Sequence, residues 1–216
     1  MTSILKADTI QDTDGNNIIN ENSNTITIGA SGDTISIPSG ATIANSGTAT
    51  GFGIDGITVA DQWRLPANQS VTTSASVLTG WERPDDQESG LDCYGRIGTG
   101  MSESSGTFTF PSTGIYLVGF KANFAVNGDD RSINNWIYAT NDNSNYYATA
   151  WSTTFIQQTS SNWTGASAYV ETLVDVDDVS NDKVRFHTTP QNSNTQTQGS
   201  TDESITSVTF IRLGDT

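Results

Sequence analysis

Basic side chains are scarce in this chain: 9 Lys plus Arg stand against 24 Asp plus Glu in 216 residues, for a formal net charge of -15. Nucleic-acid binding draws on clustered Lys and Arg that release counterions from phosphates, so DNA and RNA are not expected partners. The same deficit argues against docking on anionic lipid and favours solubility. Cysteine is nearly missing: Cys93 stands alone. It rules out an internal disulfide framework or a thiolate metal cluster, and reads as a small, partly buried hydrophobe. Long apolar runs are missing too. No segment approaches the ~18 apolar residues of a membrane span, and MTSILKADTIQDTDG lacks the apolar core of a signal peptide. Synthesis in a cytoplasm without membrane insertion is therefore expected, and work outside the cell would require lysis or carriage on a particle. Hydrophobic residues make up only 34% of the chain, little for a self-sufficient globule. Some apolar surface is expected to meet another copy.

Catalytic signatures are equally thin. There is no Gly-x-Ser-x-Gly elbow, glycine-rich phosphate loop or histidine-carboxylate metal triad. The single histidine, His187, alternates with Val184 and Phe186 beside Arg185, and is expected to face solvent or a subunit seam. Acid pairs at Asp85 and Asp86, Asp129 and Asp130, and Asp177 and Asp178 fall in predicted loops, where solvated turn residues are usual. Carboxylates for glycoside cleavage are recognised by spatial separation, which spacing along the chain does not give. The chain reads as no enzyme.

What is present has two textures. Residues 1–50 are rich in Asn, Thr, Gly and Ser, with short runs TITIG, TISIP and ATIA. Ile26 and Ile28 share one face, as do Ile35 and Ile37, with Ile43 following, and turn formers lie between them. One isoleucine pair buries too little to offset an ordering cost of roughly 1 to 2 kcal/mol per residue. Three chains wound about one axis would bury their isoleucine edges together, giving an intertwined trimeric β shaft. The alternative is an unordered leader. DTDGNN misplaces the glycine of a calcium-binding EF-hand loop, and GASGDTISI is out of phase with the calcium nonapeptide, so both read as turns. The glycine-rich stretch TATGFGIDGIT, from Thr48 to Thr58, reads as a hinge, with a neck at 51–60 between the two textures.

From residue 61 to 216 strand signals recur: SVTTSASVLTGWE, TFTF, GIYLVGFKANFAV, INNWIYAT, YYATAWSTTFIQQ, ASAYVETLVDV, DKVRFHTT and SITSVTFIRLG. NGDD supplies a hairpin turn at Asn127 and Gly128, and no segment holds a helical period. The fold class is all-β, a two-sheet sandwich of jelly-roll topology. In IYLVGFKANF the residues Tyr116, Phe120 and Phe124 share one face while Ile115 and Leu117 begin the other. A strand apolar on both faces must be covered on both, so Tyr116, Phe120 and Phe124 are expected at a trimer interface with Ile26, Ile28, Ile35 and Ile37.

Two side-chain groups are candidates for binding. Asp175, Asp177, Asp178 and Asp182 form an acidic turn suited to calcium or to plain solvation. Trp136, Tyr138, Tyr146, Tyr147, Trp151 and Trp163, interleaved with Asn, Gln and Thr, suit sugar rings, which offer apolar C–H patches and hydroxyls. The alternative is that these rings fill the core or a seam.

The run GTFTFPSTGIYLVGF resembles the C1q/tumour-necrosis-factor signature, a Phe-x-x-Pro-x-x-Gly-x-Tyr pattern at Phe108, Pro111, Gly114 and Tyr116. The turn DVDDVSNDKVRF and closing strand SITSVTFIRLG are similar to that family over about residues 61–216, although the family closes on Ser-Phe-x-Gly. The resemblance implies a homotrimeric jelly-roll head, with calcium held near the apex in some members. The leader SILKADTIQDTDGNNIINENSNTITIGASGDTISIPSGATI resembles virion fibre and appendage proteins of marine tailed bacteriophages. Together they imply a trimeric virion fibre or spike, attached to tail or capsid proteins by its N-terminus and presenting a head to host surface polysaccharide. A capsid decoration or vertex protein is the alternative, and a depolymerising tailspike a third.

Overall fold

The computed structural model describes residues 9–11, 13, 15, 17–23, 25–29, 31–44, 56–85 and 94–216. Cys93, Asp86 and residues 51–55 of the expected neck lie outside them. The chain divides into two compact units, Met1–Phe52 and Gly53–Thr216. Among the described residues there is no helix, and hence none long and apolar enough to cross a membrane.

The first unit is an antiparallel meander of β1 (Thr9–Gln11), β2 (Asn17–Asn22) and β3 (Thr25–Ile28). Ile26 and Ile28 lie on β3, but residues 33–38, with Ile35 and Ile37, pair with no strand. The expected run of repeated strands thus stops at residue 28. Ile26, Ile28, Ile35, Ile37 and Ile43 all remain exposed. A two-faced ribbon this small has no second layer on which to bury them.

The second unit is a two-sheet sandwich. Its strands are β4 (Ala60–Arg64), β5 (Gln69–Ser70), β6 (Ser76–Val77), β7 (Ser102–Ser104), β8 (Thr107–Thr109), β9 (Gly114–Val126), β10 (Asp130–Thr140), β11 (Tyr147–Ile156), β12 (Thr164–Val176), β13 (Lys183–Pro190), β14 (Gln196–Thr197) and β15 (Ser207–Gly214). One sheet runs β4-β15-β9-β14-β5, with β12 along the other edge of β9; the second runs β11-β10-β13-β8-β7, with β6 beside β13. The chain crosses between the sheets at β5–β6, β8–β9, β9–β10, β11–β12, β12–β13 and β13–β14, as in a jelly roll. The segment expected as one early strand, SVTTSASVLTGWE, supplies only β5 and β6 with intervening loop, because its buried anchors Val71, Leu78 and Trp81 are too widely spaced for alternation.

The core is aromatic. Phe108 is fully buried, with ring centroids 5.5 Å from Trp63, 5.9 Å from Trp81, 5.4 Å from Phe186 and 5.2 Å from Phe210. Edge-to-face and tilted pairs of this kind stabilise beyond their buried area. The signature pattern now has physical content. Gly114 sits at φ 135°, where a Cβ would lie 2.5 Å from the Gly214 carbonyl oxygen. Tyr116 donates its hydroxyl to the Ser112 carbonyl at 3.0 Å, bracing the turn after Pro111.

Tyr116, Phe120 and Phe124 are fully buried within the single chain, which corrects their expected place at a trimer interface. Alternation had grouped them properly; the face they share fills the sandwich. The outward face of β9 instead carries Leu117, paired with Leu173 on β12 and Ile211 on β15. Leu173 is 62% exposed, and Tyr169, on the same face of β12, is exposed as well.

Candidate binding surface

Period-two alternation builds the surface from β10. Ile133, Asn135 and Ile137 point inward and are buried, so Asn134, Trp136 and Tyr138 point out. Asn135 is the polar exception inside. Its amide donates to the Phe120 carbonyl across the sandwich and its oxygen accepts from Ser152, satisfying a group that would otherwise cost stability. Opposite Trp136 lie Trp151 on β11 and His187 on β13; opposite Tyr138 lies Arg185.

These pairings form a ladder of rings across three strands. Trp136 and Trp151 stack at 5.1 Å and 26°, Trp136 meets Tyr138 at 6.3 Å, and Tyr138 stacks on His187 at 4.2 Å and 27°. The Arg185 guanidinium lies 3.7 Å from the Tyr146 ring centroid, and its Nε donates to Thr107 Oγ1 at 2.9 Å. Trp151 leaves 55% of its surface to solvent at the end of the ladder. Four of the six expected aromatics, with Tyr138 and Tyr146 among them, thus converge.

Tyr147 and Trp163 do not join them. A bulge between Ile137 and Tyr138 shifts the β10–β11 register, and Tyr147 faces Ala139 instead. It borders a hollow between the sheet edges with Ala139, Thr149, Leu173 and Asp182. Trp163, exposed, precedes β12. His187 is buried under the ladder, neither solvent-facing nor at an open seam. Burial, then the charge of Arg185, pushes its pKa down from 6.5 to about 4, and neither ring nitrogen has a hydrogen-bond partner among the described residues.

The acidic turn is occupied by its own backbone. Asp182, buried, accepts from the Asp177 and Asp178 amides at 2.8 Å, and Asp178 accepts from Ser180 N and Asn181 Nδ2. Asp175 and Asp177 are exposed. Among the described residues no three His, Cys, Asp or Glu side chains converge to hold a metal, so the calcium expectation for Asp175, Asp177, Asp178 and Asp182 is corrected. Carboxylates committed to capping a turn are poor open ligands.

Buried charge lies elsewhere. Asp61 accepts from Trp63 Nε1, the Met101 amide and both Nε and a terminal nitrogen of Arg83. Arg64, fully buried, pairs with Glu82 and Asp85. Asp130, expected in a solvated turn, is also buried, and accepts from the Ser132, Gln191 and Asn192 amides and from Thr195. These partners are brought together only by folding. Asp61 stands within the strand sequence ADQWR, with no mark in its neighbours of the partners it finds.

Among solved structures, the chain is similar to Eiger TNF from S. frugiperda, at a TM-score of 0.52 and 12% identity over 73% of this chain and 94% of that one. The head has a tumour-necrosis-factor-like jelly-roll fold. The TNF-like head is also similar to murine APRIL at pH 8.5, at a TM-score of 0.49 and 12% identity over 72% of this chain and 98% of that one. No family model matches the sequence, nor does any curated protein.

Proposed function

We propose that this protein is a binding and structural module without catalytic activity: a homotrimeric virion fibre or spike whose TNF-like head holds host surface polysaccharide. The observation that carries the reading is the Trp151–Trp136 stack, presented outward with Trp151 more than half exposed. A flat indole held by a second ring is pre-ordered, so a sugar ring that lies on it costs little side-chain entropy.

Trimerisation is supported by unpartnered apolar surface in each unit: the row Leu117, Leu173 and Ile211 in the head, and the exposed isoleucines of the first unit. Exposed apolar surface of this extent marks an interaction site. In this reading the chain is made in the host cytoplasm, residues 1–50 join it to tail or capsid proteins, and the three heads act together. Three weak sites per spike gain avidity from effective concentration. The same apolar row favours a second reading, a capsid decoration with an assembly role and no receptor.

A glycan array separates the two. The unmodified protein is expected to bind host-type surface polysaccharide, and Trp151→Ala to lose about ten-fold or more in affinity, the worth of a good stacking contact. A blank array for the unmodified protein would remove the adhesive role and leave the decorative one. Sedimentation tests the assembly, since each chain weighs 23.0 kDa; a stable monomer would end the trimer.

A further inference from the structure

The ladder carries a charge pattern that does not match the rest of the chain. The strand segments whose outward residues form this face, 107–109, 134–138, 151–155 and 185–189, contain no Asp or Glu, although the chain holds 24. Their one full charge is Arg185, because His187 is held neutral near pH 7. Asp142, in the adjoining turn, uses both carboxylate oxygens on Thr140, Ser144 and Asn145.

Arg185 is half-buried and fixed by its stack on Tyr146 and its bond to Thr107. Ion pairs among the described residues use Arg64, Arg83 and Arg212, and none uses Arg185. Its terminal nitrogens make no hydrogen bond among the described residues, and a fixed guanidinium of this kind presents two parallel donors, the geometry that suits a carboxylate.

Arg185 lies one strand beyond Trp136 and two residues along from its cross-strand partner His187, roughly 10 to 12 Å from Trp151 by strand spacing. A ligand touching both ends therefore spans more than one sugar ring. Building on the glycan reading above, we propose that this face selects acidic polysaccharide: Arg185 forks the carboxylate of a uronic-acid unit while a neighbouring ring lies on Trp151. The net charge of -15 repels a polyanion at long range, so the contact operates where the Debye length is short, about 8 Å at physiological ionic strength.

The test uses the full chain at physiological salt, with polygalacturonate, its fully methyl-esterified form and dextran sulfate as probes in affinity electrophoresis. The acid form is expected to bind about ten-fold or more tighter than the ester, the worth of a charged hydrogen-bonded pair. Arg185→Gln should bring the acid-to-ester ratio to about one, whereas Trp151→Ala should weaken binding of both forms and keep the ratio. The ratio for the unmodified protein stands whether or not a variant folds. Equal binding of acid and ester, or an unchanged ratio in Arg185→Gln, would overturn the acidic selection and leave glycan adhesion standing. Dextran sulfate bound as tightly as polygalacturonate would overturn the carboxylate assignment. Failure to bind any of the three would overturn this proposal, and only a blank glycan array beside it would overturn the adhesive function.

Discussion

Replacing Phe120 by alanine tests whether the inner aromatic face of β9 is core or seam. The ring is fully buried, with centroids 5.1 Å from Phe186 and 6.3 Å from Trp81. Its loss removes the transfer free energy of a phenyl group and leaves a cavity that rigid β-strands on both sides do not fill, together about 3 to 5 kcal/mol. Against a total stability of about 5 to 15 kcal/mol, the variant stays folded but loses much of its margin. With a urea dependence of about 2 kcal/mol per molar, its midpoint should fall by about 2 M. The assay is urea unfolding followed by the fluorescence of the five tryptophans, paired with sedimentation of the native variant at the same concentration. Mass should be unchanged. A variant that sediments as a smaller species while keeping the parental midpoint would refute the reasoning and return Phe120 to the seam.

The converse substitution, Leu173→Asp, places charge on the outward row without touching the core, so assembly should weaken to a monomer by sedimentation while the monomer keeps its β-sheet circular dichroism; unchanged mass would move the seam elsewhere. His187 is the one histidine in the chain, so a single imidazole resonance should titrate near pH 4 in the folded protein. Because its folded pKa is depressed from 6.5, the unfolded chain binds the extra proton first; stability is full above pH 6.5 and falls as pH drops from there towards 4. A resonance titrating at 6.5 would place the ring in solvent. Gly114→Ala should cost about 2 kcal/mol or more in thermal unfolding, from left-handed strain and the close Gly214 carbonyl; a neutral effect would show that the turn relaxes freely.

The parts of this architecture that were legible in the sequence are those set by near neighbours. The pattern Phe108, Pro111, Gly114 and Tyr116 marked the start of β9 because a turn and two inward rings lie within nine residues. Alternation along INNWIYAT put Trp136 and Tyr138 on one face. Alternation does not say which face is inside when both are apolar, so it groups Tyr116, Phe120 and Phe124 without telling core from interface. Tyr147 was misplaced by one bulge, since a single-residue shift turns a side chain to the opposite face. The acidic turn misled for a different reason: composition counts carboxylates but not the backbone amides that claim them. Asp61 with Arg83, and Asp130 with residues 191, 192 and 195, join segments whose proximity exists only after folding.

The strand order carries a consequence for how the head is made. β15, at residues 207–214, lies between β4 and β9, so the first strand of the sandwich has its neighbour supplied almost last. During synthesis the thirteen-residue β9 can take β12 on one edge while the other waits. At roughly 5 to 20 residues per second, that edge stays open for seconds after β9 has emerged. A long unpaired apolar strand templates aggregation. A chain stopped before residue 207 would therefore fail by clumping rather than by partial function, and yield of the intact protein should depend on how well the growing chains are kept apart.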